Sequence, residues 1–352
     1  MINVDNQYID KAIESLTNLL GIKEDFGCRS LFKVYHSDKI KEYIKEISNH
    51  LGLNISINLF YVPANYSSAN TGAQQFSSQD LVKTDSNQRG VEGITAQVII
   101  PSYLPMFGTS EMNNFPIDVK ISDNVKKHPV TFTAIMAHEF SHVLLHSLRF
   151  EEKNNEVYTD LTAMVLGFNK IMSDGRVVKE EEQRFNSKIV RTTKYGYLRD
   201  AQSNFAYRKI DKILSKYIQI KNKLISKNDI LMNRLLKIKK KIDKIEKYIK
   251  ILDKCPNKKK KYINPKKIVA MHQIDYLDNI YKSISPDENI LIKNKNILSS
   301  LKHYNSSCFS AVEKEIKLLE ERNSIDLAYK YVEDNIKILK KNISIFKRLK
   351  LL

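Results

Sequence analysis

The chain has 352 residues, 42% of them hydrophobic, enough for about two domains with a sizeable core, which excludes a wholly disordered or collagen-like chain. Its 58 Lys and Arg against 40 Asp and Glu give a net charge of +18. The three cysteines, Cys28, Cys255 and Cys308, lie far apart in no CxxC pair, which argues against a disulfide framework or a cysteine zinc site.

In chain order, Tyr8, Ile9, Ala12, Ile13, Leu16, Leu19 and Leu20 recur at steps of three and four, predicting a helix that Gly21 stops. A second helix is expected from Ser37, as N-cap, through Ile40, Tyr43, Ile44 and Ile47 to about Leu51. Strict alternation over Asn54 to Leu59 then predicts a half-buried strand, and Thr95 to Ile100 and Ile117 to Ile121 read as two more. The polar stretch from Asn65 to Gly93, rich in Ser, Asn, Gln and Gly, reads as a mobile loop. Pro129 opens a strongly apolar helix to about Leu148, at a position where its missing N–H costs nothing. A further helix is expected from Glu156 to Met172, N-capped by asparagine and stopped by Asp174-Gly175. These elements make residues 1–207 a small α+β domain.

Beyond Tyr207 a helical stripe runs through Ile210, Ile213, Tyr217, Ile220 and Leu224, then Leu231, Leu235, Ile238, Ile242, Ile245, Ile249 and Leu252. One extra four-residue step around Asn228 reads as a stutter. Cys255-Pro256 and the lysines after it break the helix, shorter helices follow, and a last one is expected from about Ser310 to Leu352. An antiparallel hairpin or small bundle, all-α and coiled-coil-like, is the simplest architecture for residues 208–352. Charge and glycine divide the chain at the same place. From Arg208 onward there are 36 basic and 16 acidic residues, net +20, so the first 207 hold 22 and 24, net −2; all ten glycines lie between Gly21 and Gly196. The first residues, MINVDNQYID, show no basic segment followed by an apolar one, and no uncharged apolar run reaches membrane-spanning length. A cytoplasmic protein with no membrane partner is expected.

The chemistry concentrates in Ala137-His138-Glu139-Phe140-Ser141-His142. Two histidines four apart on a helix point in nearly the same direction, so both imidazoles can reach one ion, with the intervening glutamate beside it. With eight His and 20 Glu in the chain, chance would supply HExxH about 0.01 times, so the match is specific. Imidazole suits zinc, and Glu139 would stand where it can take a proton from a water on the metal. A catalytic zinc keeps three protein ligands, and Asn155-Glu156-Val157-Tyr158-Thr159-Asp160 offers the third. Glu156 and Asp160 are four apart on one helix face. One carboxylate can bind the metal while the other accepts from the far nitrogen of a ligating histidine. His146, about 12 Å further along the helix than His138, reads as a packing residue.

HEFSH followed by NEVYTD resembles the HExxH plus NExxxD signature of the gluzincin metallopeptidases. The resemblance covers roughly Pro116 to Met172 and implies a small zincin-like catalytic domain, with a short sheet and active-site helices, acting on a protein or peptide substrate. It implies one zinc ion bound by His138, His142 and Glu156, Glu139 as general base, and Asp160 orienting a ligand histidine. Ala137 to His146 is also similar to the metal-binding helix of the ImmA/IrrE regulatory proteases. Only thirteen residues separate His142 from Glu156, which implies a tight helical hairpin, and the segment that follows lacks an ExEA-type pattern.

Peptide hydrolysis also needs an oxyanion donor, for which Tyr195 and Tyr197, flanking Gly196, are candidates, with Tyr158 a further one. The strand at Thr95 to Ile100 or that at Ile117 to Ile121 is expected at the sheet edge, where it could align an extended peptide. The lysine-rich residues 208–352 suit an acidic or nucleic-acid partner, or a homo-oligomer through the helices. Two readings follow: a cytoplasmic zinc peptidase with a basic helical docking arm, and a basic coiled-coil binding protein whose metal site is structural or degenerate.

Overall fold

A computed structural model describes residues 4–27, 39–63, 74–77, 83–84, 96–122, 127–184, 187–253, 260–301, 303–304 and 306–348. The chain divides into two compact units, Met1–Lys216 with Lys302–Tyr304, and Tyr217–Leu301 with Asn305–Leu352.

The first unit is α+β. Helix α1 (Asn6–Leu20) starts where the Asp5 carboxylate accepts from the Tyr8 N–H and stops at Gly21, whose φ of 73° suits only a residue without Cβ. Strand β1 (Ile22–Lys23) follows. Helix α2 (Ile40–His50) begins at Lys39, which gives no side-chain cap; Ser37, the expected cap, lies outside the described residues. Strands β2 (Ser56–Val62), β3 (Gln74–Ser77), β5 (Ala96–Ile100) and β6 (Pro116–Ser122) form a sheet in the order β2-β6-β5-β3, while β4 (Lys83–Thr84) joins another sheet. The stretch from Asn65 to Gly93 therefore carries two short strands where a loop was expected, and its other residues lie outside those described. β2 and β6 are parallel, with Ile57 opposite Ile117 and Leu59 opposite Val119; the other pairs are antiparallel. Because β3 adds outside β5, both strands expected at an edge are interior, and the outer positions belong to β2 and β3.

Helix α3 (Pro129–Ser147) has Pro129 in its first turn and is buried on every side from Thr131 to Ser147. A helix apolar all round can be placed only in a core. Its hydroxyls are satisfied locally: Thr133, Ser141 and Ser147 donate to carbonyls of the preceding turn, and Tyr43 OH lies 2.6 Å from Thr133 Oγ1. Helix α4 (Glu156–Ala163) is N-capped by Asn155, which accepts from the Val157 N–H at 3.1 Å. The single helix expected to Met172 is broken by a π turn at Met164–Phe168, after which α5 (Asn169–Asp174) resumes. Gly167 causes the break. It adopts φ 97°, its carbonyl accepts from the Phe26 N–H at 2.7 Å, and a Cβ there would lie 2.4 Å from the Glu24 carbonyl oxygen. A hairpin of β7 (Val177–Arg184) and β8 (Ser187–Lys194), with β4 beside β8, was not foreseen in the sequence.

Helix α6 (Asp200–Asp253) continues into the second unit, followed by α7 (Lys260–Ser300), then β9 (His303–Tyr304), which pairs with β1 in the first unit. α8 (Ser306–Arg322) and α9 (Ser324–Arg348) complete the chain. The last expected helix is thus two, parted at Asn323, whose φ is 50°. In the second unit, Lys221 bonds the carbonyl of Leu301 and Asn228 that of Leu291, so α6 and α7 run antiparallel. Ion pairs Lys227–Glu320, Arg234–Asp326 and Lys241–Glu333 set α8 and α9 along α6. The core falls at Leu224, Leu231, Leu235, Ile238 and Ile242, with Ile284, Leu291 and Leu298 opposite. Asn228 is itself buried at a core position. Asn228 therefore fills the inward position between Leu224 and Leu231, in steps of four and three, so the extra four-residue step is taken by a buried polar residue. The expected break at Cys255-Pro256 lies outside the described residues. Among those described, no helix is long and apolar enough to cross a membrane.

Candidate metal centre

Helix geometry on α3 puts His138 and His142 on one face, and the reversal after Ser147 brings the first turn of α4 against them. Three atoms then meet. His138 Nε2 is 3.2 Å from His142 Nε2, and Glu156 Oε2 is 3.2 Å from each. The corners of this triangle lie about 1.8 Å from its centre, less than the ~2.1 Å at which zinc holds a nitrogen, so all three can touch one small ion together. Both histidines are buried, as is Glu156 Oε2, which has no hydrogen bond of adequate geometry. A buried carboxylate oxygen facing two ring nitrogens is costly unless a cation joins them.

The far side of each imidazole fixes its tautomer. His138 Nδ1 lies 2.8 Å from Asp160 Oδ1, so Nδ1–H donates and the Nε2 lone pair faces the triangle. His142 Nδ1 lies 3.3 Å from Thr159 Oγ1, whose hydroxyl donates to the Asn155 carbonyl at 3.2 Å and accepts from the ring. Asp160 Oδ2 in turn accepts from the backbone N–H of Tyr197 at 2.8 Å and of Leu198 at 3.3 Å. The lone pairs of both Nε2 atoms and the carboxylate thus converge, as a cation requires.

Without a metal the same contacts hold a proton. Burial opposes charge on His138, but its hydrogen bond to Asp160 and the Glu156 carboxylate 3.2 Å away outweigh it and raise the group to about 10. Burial raises Glu156, but the two imidazoles, each 3.2 Å away, outweigh it and lower the group to about 2. Burial, reinforced by the charge on His138, lowers His142 against the pull of Glu156. Burial with the charges of Lys153 and His142 lowers His146 to about 4, keeping it a neutral packing residue.

Glu139 is buried on α3, and its charge acts on His138. The Tyr197 ring stacks on His138 with centroids 5.6 Å apart and planes at 22°. Tyr195 instead lies in the hydrophobic core, and Tyr158 packs between Tyr8 and Phe150. Beside His138 and Asp160 a recess is walled by Ala134, Ile135, Met164, Met172 and Leu198. Thr159 and the backbone N–H groups of Tyr197 and Leu198 were missed in the sequence. Thr159 had a signal, because it stands three residues after Glu156 on one face; the N–H groups had none beyond Gly196.

Fold and site together define an α+β protein whose His138, His142 and Glu156 lie within metal-binding distance of one another. Comparison with protein families, curated proteins and solved structures finds no match.

Proposed function

We propose that the chain is a zinc-dependent peptidase of gluzincin type, acting as a cytoplasmic regulatory protease. The observation that carries this reading is the 3.2 Å triangle of two Nε2 atoms and a carboxylate oxygen, with Glu139 on the same helix between the two histidines. Two imidazoles and one carboxylate are the donor set of a catalytic zinc with a position left for substrate. When bound, zinc supplies Lewis-acid polarisation of a peptide carbonyl and makes water acidic near neutrality. Glu139 takes the proton of the attacking water and delivers it to the leaving nitrogen. Asp160 and Thr159 hold the imidazoles in the ligating tautomer. Tyr197, whose ring stacks on His138, is the candidate donor to the developing oxyanion.

The purified protein, loaded with zinc and given a peptide library, tests this. Glu139→Gln is expected to bind zinc as the wild type does and to lose hydrolysis by a factor of about 10³ or more. Equal turnover by the variant, or none by the wild type, would sink the reading. Comparing protein abundance in cells carrying either form then identifies the substrate.

A second reading is favoured by the net +20 of residues 208–352: a basic helical protein that binds an acidic protein or nucleic acid, with a structural metal site. In the first reading the same helices serve docking or homo-oligomer formation. A protein that holds no zinc yet binds nucleic acid with a steep salt slope would favour the second.

A further inference from the structure

We infer that Arg176 is a positioning residue for the metal centre, acting on His138 through the turn at 195–198 and through Asp160. The inference rests on His138, His142 and Glu156 being metal ligands, and not on which reaction follows.

Asp160 Oδ1 accepts from His138, and Asp160 Oδ2 is supported by the backbone N–H groups of Tyr197 and Leu198. The carboxylate that aims His138 is therefore only as well placed as that turn, which belongs to no helix or strand. Arg176 holds it at both ends. Its Nη1 donates to the Tyr195 carbonyl at 3.4 Å, its Nη2 to the Leu198 carbonyl, and its own carbonyl accepts from the Tyr195 N–H at 2.8 Å. The guanidinium is anchored by Nε to Asp200 Oδ1 at 3.2 Å, and Asp200 also accepts from Lys194 at 3.0 Å. A planar fork can bridge two carbonyls and a carboxylate at once; an ammonium group cannot keep that geometry.

Gly196 shows how closely these parts meet. It adopts φ 94°, and a Cβ there would lie 3.1 Å from Arg176 Nη1 and 3.4 Å from Asp160 Oδ2. Guanidinium and carboxylate thus approach the same point of the turn from two sides. Loosening the turn tilts Asp160, and with it the imidazole whose Nε2 faces the other two donors.

The test uses the full chain. Zinc affinity is measured by competition with a chromogenic chelator, and the visible spectrum of the cobalt(II)-substituted protein reports ligand geometry. Arg176→Gln and Arg176→Lys are each expected to weaken zinc binding about tenfold or more and to shift the cobalt bands. In an Asp160→Asn background, Arg176→Gln is expected to add less than about twofold, because its influence runs through Asp160. A full additional loss there overturns the inference, as does a variant that unfolds at lower temperature while its zinc affinity and cobalt spectrum match the wild type. Should Arg176→Gln fail to fold, Asp200→Ala decides. It removes an exposed anchor and is expected to weaken zinc binding about threefold with altered cobalt bands; unchanged values overturn the inference. A wild type that binds no metal overturns the metal-centre reading itself, a result distinct from a tight-binding wild type matched by its Arg176 variants.

Discussion

Replacing Asp160 by Asn changes one atom, and the structure makes the consequence large. The carboxylate accepts three hydrogen bonds, from His138 Nδ1 at 2.8 Å on one oxygen and from two backbone N–H groups on the other. An asparagine amide has one oxygen and one NH₂. If the oxygen faces His138, the NH₂ points at two N–H donors; if it faces the backbone, the NH₂ points at His138 Nδ1–H. Either arrangement sets donor against donor in a buried site. Losing the charge-assisted bond costs about 1.5–3 kcal/mol before that conflict is counted. At about 1.4 kcal/mol per factor of ten, zinc affinity should fall about 10–100-fold. Thr159→Val supplies the internal comparison. It removes a neutral contact of 3.3 Å to His142, worth about 0.5–1 kcal/mol, so affinity should fall only about two- to fivefold. Chelator competition at pH 7.5 measures both. A loss for Asp160→Asn smaller than that for Thr159→Val would refute the assignment of Asp160 to His138.

A cation at the triangle would have to displace the proton that His138 holds there, and that proton makes stability depend on pH. His138 stands at about 10 in the metal-free fold against 6.5 unfolded. Its contribution is therefore complete below pH 6.5 and lost as pH rises through 10, while that of Glu156, lowered from 4.5 to about 2, is lost as pH falls through 2. The gain in melting temperature on adding zinc should thus grow from pH 6.5 to 8.5, and differential scanning fluorimetry showing it shrink would contradict this. Gly167→Ala forces a Cβ to within 2.4 Å of the Glu24 carbonyl at φ 97°. Conformation alone costs about 1–2 kcal/mol and the overlap adds about 1–3, so the urea midpoint should fall by the equivalent of at least about 2 kcal/mol. Asn228→Leu should raise the unfolding temperature of the helical unit, since the buried Asn228 Oδ1 has no hydrogen-bond partner and its amide bonds a single helix carbonyl.

Local periodicity carried the sequence reading a long way. The α+β character of the first part, the apolar helix from Pro129, the stop at Gly21 and the asparagine cap before Glu156 all depend on residues within a turn of each other. Where the reading departed from the structure, a distant contact decided. Gly167 bends the helix because residues 24–26 pass against it. β5 and β6 became interior strands because β3 and β2 flank them. Asn228 takes an inward position although it is polar, because its amide donates to the carbonyl of Leu291 on another helix.

The same division runs through the site. By itself the sequence determined that His138 and His142 share one helix face with Glu139 between them, and that Glu156 and Asp160 share another, because a helix repeats every 3.6 residues whatever surrounds it. Only the tertiary structure decided that Glu156 faces the two Nε2 atoms while Asp160 takes the Nδ1 of His138, and that Tyr197 borders the site while Tyr195 enters the core. Those outcomes depend on how α4 meets α3 and on a turn closed by Arg176, and no local rule of spacing fixes the angle between two helices or the path of a turn.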